Sequence, residues 1–133
     1  MESYLIIGGI LLVMLACIHV IFPKYFKWKQ ELTSLSLINR QLMYVHSFFI
    51  AFVVFLTGIL CVTSAKELTG TVLGKRICLG LGVFWIARLI IQFFGYSVKL
   101  WKGKMFETIV HVLFSILWVY LSIIFILTYL YDQ

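Results

Sequence analysis

Four apolar runs, each long enough to cross a bilayer, limit what this chain can become. They cover about 4–22, 41–64, 77–98 and 107–131. A spanning helix needs roughly 20 mostly apolar residues. None of the runs alternates as a membrane β-strand would, and each is too long for one. Composition points the same way. Of 133 residues, 63% are hydrophobic and 12% charged, whereas a soluble domain is about a quarter charged. A fold of this size cannot hide so much apolar surface from water. The pattern predicts an all-α integral membrane protein, an antiparallel four-helix bundle in which residues 1–133 form a single transmembrane domain.

The charges fall between these runs. The net charge of +6 does not imply a nucleic-acid partner, because the basic residues mark segment ends rather than one patch. Lys24, Lys27, Lys29, Arg40, Lys99, Lys102 and Lys104 flank one side, against Lys66, Lys75 and Arg76 on the other. The positive-inside rule puts the first group in the cytoplasm and both termini outside it. The expected location is the bacterial inner (plasma) membrane, crossed several times. The opening residues MESYLII carry an acid and no basic stretch, so they read as a retained helix rather than a cleaved signal.

Pro23 is expected to end the first span. Beyond it, Tyr25, Trp28, Leu32 and Leu35 share one helical face, and Lys24, Lys27 and Glu31 another. That predicts a short interfacial helix over about 24–36. Trp28, Trp101, Tyr4, Tyr129 and Tyr131 suit aromatic belts. Cys17, Cys61 and Cys78 have no CxxC spacing and read as small apolar packing residues. Gly8, Gly9, Gly74, Gly80 and Gly82 read as close-packing positions.

Within the apolar runs, polar residues recur at helical spacing. Glu107, His111, Ser115, Trp118 and Ser122 follow one another at four, four, three and four residues, a stripe on one side of a helix. Trp85, Arg88, Gln92 and Tyr96 make a second stripe, and Asn39, His46 and Thr57 a third. At about 1.5 Å of rise per residue, His19 lies about 7 Å from its nearest flanking charge, His46 about 9 Å, and His111 and Gln92 about 10 Å. Each of the four segments thus offers one nitrogen-bearing side chain at one level of the cytoplasmic leaflet. Arg88 sits nearer mid-bilayer, where a cation is costly and normally faces a partner inside the bundle. A path from Arg88 through Gln92 toward Glu107 is one expectation; a ligand carboxylate or lipid phosphate is another.

Four functions compete for this layer. The favoured one is a b-type haem in membrane redox chemistry. His46 and His111 would be axial ligands, His19 and Gln92 would lie beside them, and Arg88 and Arg40 would hold the propionates. A mononuclear zinc or iron site could draw on His19, His46, His111 and Glu107. A quinone or lipid headgroup could use the same donors. The last reading is structural: hydrogen bonds between helices, no cofactor, and an accessory role beside other membrane subunits or further copies of the chain.

Two patterns carry a resemblance. HVIFPKYFKW leading into INRQLMYVHSFF, together with FWIARLIIQFFGYSVKLWKGKMFETIVHVLF, resembles a largely uncharacterised group of small four-span bacterial inner-membrane proteins. The likeness covers most of the chain and implies the layout, with no activity. The layout is also loosely similar to that of the haem-binding membrane protoporphyrinogen oxidases. Their pattern departs in the third span, where this chain has Arg88 and Gln92 in place of histidine.

Overall fold

A computed structural model describes residues 2–25, 27–94 and 105–130, with the side chains of Phe22 and Glu107 outside that description. Every regular element among the described residues is helical: α1 (Glu2–Tyr25), α2 (Trp28–Glu31), a 3-10 turn (Leu32–Ser34), α3 (Leu37–Thr63), α4 (Ala65–Gly70), α5 (Val72–Phe94) and α6 (Met105–Leu130). Helices α1, α3, α5 and α6 are each long and apolar enough to cross a membrane. The expected all-α class with four long apolar helices is therefore what the chain forms. The predicted ends of the third and fourth spans, at 98 and 131, lie outside the described residues.

The helix starts follow from local chemistry. Ser36 accepts the Asn39 N–H at 3.4 Å and Thr71 accepts the Gly74 N–H at 2.9 Å. Each hydroxyl thereby satisfies one of the backbone donors that a helix leaves over at its N-terminus, for α3 and α5 respectively. Thr71 also donates to the Glu67 carbonyl at 2.7 Å, tying α4 to the start of α5. Glu2 in the first turn of α1 and Lys24 in its last complement the helix dipole. Thr57, Thr63 and Thr128 donate back to the carbonyls of Val53, Ile59 and Ile124, so these hydroxyls need no partner beyond their own helix.

The described residues divide into two compact units. The first, Ile6–Thr63, holds most of α1, the connection after it, and α3. Its helices meet backbone to backbone. A Cβ on Gly9 would lie 2.6 Å from the Gly58 carbonyl oxygen, and a Cβ on Gly58 would lie 2.7 Å from that of Gly9. Leu12, Leu15, Ala16, Ala51, Val54 and Cys61 are buried in this unit.

Two expectations change here. Pro23 does not end α1, which runs on to Tyr25. Proline has no N–H for the His19 carbonyl four residues back, but such a loss is tolerated in apolar helices near their ends. The turn comes instead at Lys27, whose φ of 54° is left-handed. Beyond it, Trp28–Glu31 form one α-turn and Leu32–Ser34 one 3-10 turn, where a single helix over about 24–36 was expected. Of the expected apolar face, Trp28 and Leu32 are buried and Tyr25 and Leu35 are exposed. Trp28 packs edge-on against Tyr44 of α3, with ring centroids 5.4 Å apart.

The second unit gathers Ser64–Gln133 with the N-terminal residues up to Leu5. Its core is the α5–α6 pair. Trp85 and Gln92 of α5 and Trp118, Leu121, Ser122, Ile124, Phe125 and Thr128 of α6 are buried. Gly82 gives way to Ile126, whose Cδ1 would be 2.6 Å from an added Cβ. Gly80, by contrast, has nothing within 4 Å of such a Cβ, so it is not a close-packing position. Tyr120 reaches the Tyr4 carbonyl at 3.2 Å. Among the cysteines, Cys61 and Cys78 are buried as expected, while Cys17 is exposed.

Candidate functional site on helices α5 and α6

The two stripes on α5 and α6 face each other. Trp85 lies flat on Trp118, with centroids 5.1 Å apart and planes 11° from parallel. Trp118 also stacks with Phe114, at 5.6 Å and 13°. The Arg88 guanidinium carbon is 5.0 Å from the centre of the Trp118 ring, within range of a cation–π attraction.

Gln92 is the hub. Its Oε1 accepts from Arg88 Nη1 at 3.3 Å and from Trp118 Nε1 at 3.4 Å. Its Nε2 lies 2.9 Å from His111 Nδ1. The residue is 5% exposed, too buried for water to replace those partners. The spacing explains the assembly. Arg88 and Gln92 stand four apart on α5, as do His111 and Ser115 on α6, so each pair shares a helix face. Ser115 donates to the His111 carbonyl at 2.8 Å.

Beside this network the surface of the pair opens into a groove of about 370 Å³. Phe93, His111, Val112, Ser115, Ile116 and Val119 line it. His111 meets Phe93 edge to face, with centroids 6.0 Å apart. The exposed wall is almost wholly apolar, including what His111 and Ser115 contribute to it. Two buried polar atoms of the same pair, Trp85 Nε1 and Ser122 Oγ, have no hydrogen-bond partner among the described residues.

Of the residues singled out from sequence, Arg88, Gln92 and His111 come together. His19, His46 and Arg40 belong to the Ile6–Thr63 unit. There His19 Nδ1 bonds the Leu15 carbonyl at 2.9 Å and His46 Nδ1 bonds the Leu42 carbonyl at 2.8 Å, each within its own helix. His46 is exposed and His19 and Arg40 are half-buried. The Glu107 side chain lies outside the described residues. Among the described residues, no three His, Cys, Asp or Glu side chains are grouped so as to hold a metal ion. Sequence reasoning named Trp118 as part of a stripe but gave it no role. It is both a donor to Gln92 and the platform for Arg88. Its place three residues beyond Ser115, on the His111 face, was the signal available.

No family model, no curated protein and no solved structure matches this chain.

Proposed function

We propose that the protein is a small multi-pass membrane protein whose α5–α6 groove binds a hydrophobic ligand with a carbonyl head, of the quinone class. The observation that carries the reading is an apolar groove lined in part by His111, which joins half-buried Arg88 through buried Gln92. Small-molecule sites are typically concavities of roughly 300–1,000 Å³, mostly apolar, with a few fixed polar groups.

The membrane setting is supported by the long apolar helices and by the large side chains they leave exposed, among them Val20, Phe48, Phe49, Ile90 and Leu113. In water such a surface would drive aggregation. Adjacent spans run antiparallel in this reading. The pairing of Trp85 with Trp118 and of Gln92 with His111, higher numbers on one helix meeting lower numbers on the other, suits that arrangement. The surplus of Lys and Arg in 23–40 and 99–105 supports a cytoplasmic side for those connections, with a bacterial inner membrane as the setting of this reading.

A b-type haem through His46 and His111 is the poorer fit. Its iron would take the free nitrogen of each ring, and a Gln92 amide that donates to His111 Nδ1 would leave the ring proton on that nitrogen.

The test is tryptophan quenching by a short-tailed benzoquinone added to the protein in nanodiscs. Saturable quenching is expected, with an apparent Kd about tenfold weaker for His111→Ala, the loss of one hydrogen bond. Quenching that never saturates, or a Kd unchanged in the variant, would overturn the reading. So would a tightly co-purifying lipid that the quinone does not displace.

A further inference from the structure

We propose that the turn after α1 and the start of α3 form a binding surface for the phosphate of an anionic phospholipid, held by Lys24, Lys27, Lys29 and Arg40. The inference rests on the membrane setting proposed above. It does not rest on the groove of α5 and α6, which belongs to the other unit.

All four cations lie within the Ile6–Thr63 unit, and local geometry gathers them. Lys24 sits in the last turn of α1, and its carbonyl accepts the Lys27 N–H at 3.3 Å. Lys27 takes a left-handed φ of 54°. Its carbonyl accepts the N–H groups of Gln30 and Glu31 at 3.0 and 2.8 Å. The three lysines therefore share one tight turn of the chain. Trp28, between two of them, is 8% exposed and packs on Tyr44 of α3. Arg40 stands one turn before Tyr44 on that helix, so it shares the face that receives Trp28. The indole thus pins the lysine turn against the helix that carries the arginine.

Charge there is unbalanced. Glu31 is the only acid between residues 23 and 40. Among the described residues, none of the four cations has an ion-pair partner. Lys24, Lys27 and Lys29 are exposed and Arg40 is half-buried. Rings such as Trp28 and Tyr44 settle at the headgroup level of a bilayer. At that level the lipid phosphate is the counter-charge available. Arginine offers it a fork that fits two phosphate oxygens, and the lysines add point charges. A phosphatidylcholine headgroup carries its own ammonium beside the phosphate, whereas phosphatidylglycerol does not. Each Lys or Arg near an anionic surface adds about fivefold in affinity, so the surface selects the anionic lipid.

Native mass spectrometry tests this on the full chain in detergent micelles, with added dioleoylphosphatidylglycerol or dioleoylphosphatidylcholine. The wild type is expected to bind the phosphatidylglycerol about tenfold more tightly or better. Lys27→Gln, Lys29→Gln and Arg40→Gln combined should abolish most of that preference. Lys27→Arg with Lys29→Arg keeps the charge and should keep the preference, which separates lost charge from damaged folding. Lys66→Gln, on α4, should leave it unchanged.

Equal binding of the two lipids by the wild type would overturn the proposal. So would a preference that survives intact in the triple variant, or one that Lys66→Gln weakens as much, since the headgroup would then be held elsewhere. Displacement of the lipid by soluble glycerol 1-phosphate would reassign the surface to a free phosphate and overturn the lipid as its ligand. A chain that binds neither lipid and stays soluble without detergent would remove the membrane setting itself. That result differs from uptake of both lipids alike, and neither depends on whether quinone binds.

Discussion

In the Ile6–Thr63 unit, α1 and α3 touch through their backbones at Gly9 and Gly58, and the histidines of both helices bond carbonyls one turn back. In the unit of α5 and α6, the contact is made by side chains: Trp85 on Trp118, Gln92 on His111, Arg88 over the indole. Both are solutions to the packing of apolar helices, where small residues permit close approach and polar groups hydrogen-bond between neighbours. They differ in what they impose. A glycine contact sets a distance and is indifferent to chemistry. A hydrogen-bond network sets a direction for every donor and acceptor in it, and so gives His111 a chemical identity that His46 does not share.

Three substitutions probe that difference, from the largest effect to the smallest. Trp118→Ala removes a buried aromatic ring, the platform for Arg88 and a donor to Gln92. Loss of a large aromatic from a packed core costs about 3–5 kcal/mol, and chemical unfolding in mixed micelles should show it. A loss under about 1 kcal/mol would mean that the side-chain contact contributes little. Gly9→Ala forces a methyl into the Gly58 carbonyl. Overpacking of this kind costs about 1–3 kcal/mol, and the same unfolding assay should register it with the 15N chemical shifts of the His111 ring unmoved. Movement of those shifts would couple what is here described as separate. His46→Ala should be the mildest, at about 0.6 kcal/mol or less, because it deletes a bond confined to one helix. A much larger loss would show that His46 has a role its local geometry does not explain.

Periodicity and length were enough to locate the four long helices, since each apolar run exceeds what a bilayer requires. The same reasoning missed α4, whose six residues, Ala65–Gly70, are too few to leave a periodic signal. It also ended α1 too early, because a proline whose missing bond falls in the last turns of a helix interrupts little. For the site, spacing alone identified the stripes of α5 and α6, including Arg88, Gln92, His111 and Trp118. Depth along a helix was the weaker guide. It gives a level but no azimuth, so three histidines at one level need not face a common point. His19 and His46 are each bonded within their own helix, and nothing in their spacing could have shown which ring nitrogen would carry the proton.

The direction of the bonds at Gln92 bears on proton movement. A relay along a hydrogen-bonded chain requires every member to take a proton on one side and release it on the other. A primary amide flanked by a guanidinium and an indole does neither readily, and the imidazole nitrogen facing it has its lone pair engaged. The Gln92 amide is therefore a poor conductor of protons between Arg88 and His111. A proton bound for any occupant of the groove would have to bypass Gln92.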